Sequence, residues 1–330
     1  MALNGRRVLV TGASGFLGGA LARALADGGA FVRGLVRQPS RAGYIANYPN
    51  ITLVTGDLSD RESLRRAVEG VEVVFHVAAA MGGAPEKQEK INVEGTRVLA
   101  QLAAEAGVRR FVHVSSVAIY GFANLPDRIT EDTPPSPAAY AYSDTKWRGE
   151  LALREVSAQT GLEFAIIRPG MIYGPRSDPW TVQMFKLARR FGVPFIGDGR
   201  GNCMPVHIDD VCSLAMLLAE HPNAVGEAFN CTPDPGISWR QFLSAYAALK
   251  GRNRWIGLPV SAAFALQPAI SALAPRGSLM KDLRDLLPLN LRPYTFSMEK
   301  AKTLLGWTPR VTFEKGIQSC VPYLKEIGLL

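Results

Sequence analysis

The sequence predicts an α/β fold, a doubly wound parallel sheet followed by a smaller C-terminal lobe. Three observations predict it. Short β-branched runs alternate with Leu- and Ala-rich helical stretches through the first half of the chain. The runs are apolar almost without interruption, as strands of a parallel sheet covered on both faces must be. A glycine turn joins the first strand directly to the first helix, and right-handed crossovers then wind the later units onto the two faces.

The elements follow in order. Residues 7–11, Arg-Val-Leu-Val-Thr, are the first strand, and 16–26 the first helix. Further strands are expected at 31–36, 51–54, 71–77, 111–115 and 164–168, with helices at 61–68, 87–106 and 140–159. The helical stretches repeat apolar residues at three- and four-residue spacing. Beyond Gly174-Pro175 the alternation loosens, with helices expected near 181–191, 209–220 and 239–249 between Pro- and Gly-rich loops. This divides the 330 residues into an α/β domain, 1–175, and a smaller, more irregular lobe, 176–330, with the chain crossing between them. Residues 255–274 carry no charge and are flanked by Arg252, Arg254 and Arg276. Pro259 and Pro268 interrupt them, so the expectation is a helix pair packed in the second lobe, with a peripheral contact to an anionic membrane surface as the alternative.

Composition narrows the function. The net charge of +8 calls for an anionic partner: nucleic acid, membrane surface or a phosphorylated small molecule. The arginine pairs at 6–7, 65–66, 109–110 and 189–190 are scattered rather than set in one aromatic-flanked stripe, which excludes nucleic acid. Cys203, Cys212, Cys231 and Cys320 form no CxxC pair, and no signal peptide precedes the first strand, so a reducing cytoplasm is expected. No metal is expected: His207 beside Asp209-Asp210 has no third ligand at a sensible spacing, and Asp209 reads as a helix N-cap. His76 and His113 fall inside strands and read as core or cleft residues.

Thr11-Gly12-Ala13-Ser14-Gly15-Phe16-Leu17-Gly18 is a dinucleotide fingerprint in the context it requires, between strand and helix. Gly12 permits the tight turn, Gly15 the approach of a pyrophosphate, and Gly18 close helix–sheet packing. Ser14, Phe16 and Leu17 complete the cradle at the helix N-terminus. At the end of the second strand, where an NAD binder carries Asp or Glu, stand Val36-Arg37, with Arg33 and Arg41 near. A guanidinium there forks onto a 2′-phosphate, so NADP(H) is expected over NAD(H). Asp57, with Leu58, follows the third strand as an acceptor for the adenine amino group or as an N-cap for 61–68.

Tyr142 and Lys146, four residues apart on a predicted helix, share one face. A nearby ammonium favours the phenolate and lowers the phenol pKa, which suits Tyr142 to move a proton at a carbonyl or hydroxyl. The fifth strand ends in Ser115-Ser116. Either hydroxyl could bond the reacting oxygen, and strand alternation does not choose between them.

These motifs stand in a recognisable order. TGxxGxxG at 11–18, Val77-Ala78-Ala79-Ala80, Asn92-Val-Glu-Gly-Thr96, Ser115-Ser116, Tyr142xxxLys146 and Arg168-Pro-Gly-Met-Ile-Tyr-Gly-Pro175 are joined by Gly197-Asp-Gly199, Val206-His-Ile-Asp-Asp210, Gly226-Glu-Ala-Phe-Asn230 and Leu305-Gly-Trp-Thr-Pro309. Over nearly its whole length the chain resembles the extended short-chain dehydrogenase/reductase family, also called the NAD-dependent epimerase/dehydratase family, with its Rossmann domain. The resemblance implies that Tyr142 is the acid/base and that Lys146 binds the nicotinamide ribose. Gly121, five residues on, selects Ser116 as the catalytic hydroxyl. By the same resemblance Ala78, Ala79 and Ala80 border the cofactor, Asn92 supports it or a proton relay, and Pro169 to Ile172 line the nicotinamide. Val36-Arg37 matches the NADP-using reductases. Two departures from the sugar-nucleotide members are a short loop between Ala80 and Asn92, and Cys203-Met204-Pro205 where those members carry a polar anchor. The expectation is an NADP(H)-dependent oxidoreductase interconverting a ketone and a secondary alcohol on a sterol-like or lipid-derived substrate. A nucleotide-sugar epimerase or dehydratase is the alternative, and a non-catalytic cofactor sensor a minor one. A homodimer through 87–106 and 140–159 follows by analogy.

Overall fold

The computed structural model describes residues 3–121, 125–136, 141–189, 193–251, 255–273 and 291–330. Among them, seven parallel strands form one sheet. They are β1 (Arg7–Thr11), β2 (Phe31–Val36), β3 (Ile51–Thr55), β4 (Val73–His76), β5 (Arg110–Val114), β7 (Phe164–Pro169) and β11 (Ala228–Cys231), in the order β11-β7-β5-β4-β1-β2-β3. The order runs outward in both directions from the β1/β4 pair, in which Val10 faces Phe75.

Alternation along the strands sorts two cores. Val8, Val10 and Phe75 point to one face, against Leu21 and Leu25 of α1 (Phe16–Asp27) and Leu214 and Leu218 of α7 (Ile208–Leu218). Leu9 and Val74 point to the other, against Leu64 of α2 (Arg61–Val68), Leu99 of α4 (Gly95–Glu105) and Leu153 of α5 (Ala141–Thr160). At about 25 cal/mol per Å² of apolar surface removed from water, these side chains are the main force holding helices to sheet.

A separate aromatic core gathers Tyr173, Phe185, Phe242 and Tyr246, with Tyr173 edge-on to Phe242 at 5.7 Å. The chain returns to the sheet twice. β11 pairs with β7, and Met298, Ala301 and Leu305 join the core under α1 and α7.

Two elements differ from expectation. The stretch 87–106 is not one helix: α3 (Pro85–Glu89) and α4 are joined by a π-helical turn, Lys90–Glu94. The side chain of Asn92, on that turn, is tied to the backbone at the end of β4. The uncharged stretch 255–274 is not a helix pair. Trp255–Leu258 is a strand, β12, which pairs in parallel with β9 (Val193–Ile196), and Pro259 separates it from α9 (Val260–Leu273). A short apolar run can pair as a strand, here with β9 in a two-stranded sheet, and periodicity alone does not distinguish that from helix. Ala274 and the flanking Arg252, Arg254 and Arg276 lie outside the described residues.

Candidate functional site

A cleft of about 590 Å³ opens at the carboxyl edge of the sheet, between the ends of β1, β2, β4 and β5. A doubly wound sheet takes ligands where its strand order reverses. The glycine turn forms its floor. Gly12 has φ +68°, and a Cβ on it would lie 2.9 Å from Ala78 Cα. A Cβ on Gly18 would lie 2.2 Å from the Gly12 carbonyl oxygen. At Gly15 a Cβ would meet only that oxygen, at 3.2 Å, so the turn is bare towards the cleft. Helix α1 starts without a side-chain cap or an acidic residue in its first turn, and Ser14, Phe16 and Leu17 line the cleft beside it. An uncapped helix N-terminus behind a bare glycine turn fits a pyrophosphate.

Arg37 lines the cleft at the end of β2, where no carboxylate stands. The other two arginines do not join it. Arg33 donates to the carbonyls of Arg66, Ala67 and Glu69 at 3.1, 2.8 and 2.9 Å, so it caps the end of α2. Arg41 is exposed and outside the lining. Asp57 and Leu58 line the cleft. Asp57 is not the N-cap of α2; Asp60 is, accepting from the amides of Glu62 and Ser63. Burial pushes the Asp57 carboxyl up, but the Ser59 amide and hydroxyl, with Arg37 and Lys90 near, hold it below its usual value.

The end of β4 is framed from both sides. Thr11 Oγ1 accepts from the amides of Val77 and Ala78 at 3.1 and 3.0 Å and lies 2.9 Å from His76 Nδ1. With its lone pairs so used, the hydroxyl donates to Nδ1, and His76 Nε2–H donates to Thr96 Oγ1 at 2.9 Å. Thr96 then donates to the Asn92 carbonyl at 2.7 Å. Asn92 Oδ1 accepts from the Ala80 amide at 2.7 Å, and its Nδ2 donates to the Ala80 carbonyl and to Thr145 Oγ1. The chain of bonds needs a neutral His76, and burial does push that imidazole down to about 3. Ala78, Ala79 and Ala80 line the cleft, whereas Asn92, expected at the cofactor, is buried behind them and bonds the Ala80 backbone instead. Thr11, His76 and Thr96 carried no functional role in the sequence. The threonine that opens the glycine motif was the available signal.

On the opposite wall stand Ser116, Tyr142 and Lys146. Ser116 caps a short 3-10 turn, Val117–Tyr120, with its Oγ accepting from the Ala118 amide at 3.2 Å, and its side chain bonds Tyr142. Ser115 also borders the cleft, but its Oγ is buried without a partner among the described residues, so the geometry favours Ser116. Lys146 Nζ donates to the Val114 carbonyl at 2.6 Å. The phenol pKa departs from expectation: burial raises it, and the Ser116 bond offsets only part of the rise. Burial brings the Lys146 ammonium down to about 8, against an opposing pull from Glu150.

A family model for the NAD-dependent epimerase/dehydratase family matches residues 8–232. The chain belongs to that family. A 4-hydroxy-2-methyl-3-oxo-4-farnesyl-3,4-dihydroquinoline-1-oxide ketoreductase of Stigmatella aurantiaca is 29% identical, covering 95% of each chain. A 3-beta-hydroxysteroid dehydrogenase of Mycolicibacterium neoaurum is 29% identical over 97% of this chain and 92% of its own. Among solved structures, the UDP-glucose 4-epimerase of Thermotoga maritima, with UDP-glucose, superposes with a TM-score of 0.77 at 25% identity, covering 97% of this chain and 99% of the other. This member of the epimerase/dehydratase family is thus an NAD(P)-dependent enzyme of the oxidoreductase/epimerase class.

In this family member Pro169 and Ile172 line the cleft, as do Met81, Pro179 and Trp180. Trp180 is placed by a π-helical turn, Asp178–Val182, capped by Ser177. Cys203-Met204-Pro205 does not reach the cleft. Cys203 and Met204 are buried behind Gly170, where a Cβ would lie 2.4 Å from the Met204 carbonyl, and β10 (Pro205–His207) pairs with β8 (Met171–Tyr173). His207, not Asp209, is the N-cap of α7, accepting from the Asp209 amide. Its Nε2 meets Ser319 Oγ at 3.0 Å.

Proposed function

We propose that the protein is an NADP(H)-dependent oxidoreductase that interconverts a ketone and a secondary alcohol on an apolar, lipid-derived or sterol-like substrate. The observation that carries this reading is that Arg37, the glycine turn and the Ser116–Tyr142–Lys146 group line one cleft. The turn from Gly12 to Gly18, with Ser14, Phe16 and Leu17, would hold the pyrophosphate, Arg37 the 2′-phosphate, Asp57 and Leu58 the adenine, and Ala78 to Ala80 the middle of the cofactor. Lys146 and Tyr142 would hold the nicotinamide ribose, and Pro169 and Ile172 the ring. When bound, a reduced nicotinamide supplies a hydride to the carbonyl carbon. Tyr142, kept protonated by burial, supplies the proton to the carbonyl oxygen. Ser116 donates a hydrogen bond to the same oxygen and orients it. Lys146, protonated below about 8, steadies the negative charge left on the phenol.

The apolar substrate rests on Met81, Ile172, Pro179 and Trp180 along the reacting end of the cleft, and on the ketoreductase and steroid dehydrogenase among the relatives. The test is a panel of ketones and sugar nucleotides supplied with NADPH and with NADH. Stoichiometric NADPH consumption on an apolar ketone, abolished in Tyr142→Phe, is expected. A preparation that holds non-exchangeable NAD and converts a sugar nucleotide without consuming added NADPH would overturn the reading in favour of an epimerase or dehydratase. A homodimer through α4 and α5 goes with this proposal and is tested by light scattering. So does peripheral membrane contact through α9, where Phe264 and Leu266 are about half exposed, tested by sedimentation with anionic vesicles. No helix among the described residues is long and apolar enough to cross a membrane.

A further inference from the structure

Behind the cleft wall, and outside its lining, lies a layer of ionic and polar groups that Lys146 of that wall faces. Lys146 is only 2% exposed, and one helical turn further along the same face of α5 stands Glu150, 0% exposed. Arg168 of β7 forks onto it, Nε to Oε1 at 3.0 Å and Nη2 to Oε2 at 2.7 Å. Arg168 is held in turn: its Nη1 donates to Tyr120 Oη at 2.7 Å, which donates to Asn230 Oδ1 at 2.9 Å. The Asn230 amide donates to Glu131 Oε1 at 2.7 Å. Glu150 is therefore fixed in place by a ladder running across three elements.

Apart from the Val114 carbonyl, which accepts from Nζ, the other groups around Lys146 do not help to keep it charged. His76 on β4 and His113 on β5 are neutral by burial, and Lys146 itself helps to hold them so. Tyr142 on α5 is a protonated phenol. Arg168 on β7 is itself a cation. Burial costs an ammonium its hydration, and Glu150 is the group that acts in the opposite direction.

We infer that Glu150 is a positioning residue for the proposed reaction: fixed by Arg168, it lies one turn beneath Lys146 to keep that side chain an ammonium at neutral pH. The inference rests on the reading in which Lys146 supports Tyr142. A purely structural tie between α5 and β7 does not need ions, since an apolar pair of similar volume ties a helix to a strand as well or better. What an apolar pair cannot supply is negative charge next to Lys146.

The test follows the lysine directly. Lys146 is titrated by NMR of ¹³Cε-labelled lysine, its signal identified by loss in Lys146→Met, in the wild type, in Glu150→Gln, and in the double variant Glu150→Gln/Arg168→Met. The double variant removes Arg168 together with its carboxylate partner, so no guanidinium is stranded, and it decides the matter where the single variant does not fold. Lys146 is expected to lose its proton at least tenfold more readily in Glu150→Gln, and to shift in the same direction in the double variant. The alkaline limb of ketone reduction moves to lower pH with it. A Lys146 titration unchanged in the folded variants overturns the inference and leaves Glu150–Arg168 a structural tie. Failure of the wild type to reduce any ketone overturns the proposed function alone, because the lysine titration is read without substrate.

Discussion

Replacing Thr11 by valine keeps the shape of a fully buried side chain and removes one hydroxyl. That hydroxyl receives the amides of Val77 and Ala78 and meets His76 Nδ1, all within 3.1 Å. β1 is hemmed in by β2 and β4, and Thr11 is 0% exposed, so no water takes its place. Two amides and one imidazole lose their partner. A buried polar group so stranded costs about 1–3 kcal/mol, and the two amides are only part-buried, so the lower half of the range applies to each group, about 3–6 kcal/mol in all. That is a large share of the roughly 5–15 kcal/mol that holds a domain folded. Thr11→Ser keeps the hydroxyl and loses one methyl, which costs about 1 kcal/mol. Urea unfolding followed by tryptophan fluorescence compares the three proteins, and NADPH titration reports on the Ala78–Ala80 edge. Thr11→Val within 1 kcal/mol of Thr11→Ser would refute the role given to the hydroxyl.

Four further outcomes are expected. Arg37→Asp weakens NADPH by about 10- to 100-fold, the worth of a charge-assisted phosphate contact, while NADH gains; unchanged discrimination in a fluorescence titration removes Arg37 as the selector. Gly18→Ala forces a Cβ to within 2.2 Å of a backbone oxygen; it costs about 1–3 kcal/mol of overpacking and lowers cofactor affinity, measured by calorimetry. Stability falls on acidification. His76 titrates near 3 and His113 well below its ordinary 6.5 in the folded protein, so between those values and 6.5 the unfolded chain binds more protons. The histidine contribution is complete above pH 6.5 and is lost below it at up to about 1.4 kcal/mol per pH unit for each histidine. His113→Leu flattens that slope in urea melts at pH 7.5, 6 and 5, and costs little at pH 7.5, because both ring nitrogens lack a partner among the described residues. Trp180→Ala raises KM for ring-bearing apolar ketones more than for small aliphatic ones; equal increases would dissociate the indole from substrate choice.

Much of the protein was determined by sequence that is local along the chain. The βαβ alternation, the glycine turn between β1 and α1, the arginine at the end of β2 and the Tyr142–Lys146 pair each lie within one element or one turn, so periodicity and spacing expose them. Tertiary structure decided the rest, because each remaining feature joins distant segments. Thr11 meets His76 across 65 residues, and Arg168 meets Glu150 between a strand and a helix. Arg33, on β2 four residues before Arg37, donates instead to the end of α2, whose carbonyls lie more than 30 residues away. Cys203 and Met204 turn inward where Gly170 admits their backbone, and Pro179 and Trp180, on a π-helical turn, line the cleft instead. A strand's apolar run states that it will be buried; which polar groups its ends then meet depends on strand order, and that order is set only when the whole sheet assembles.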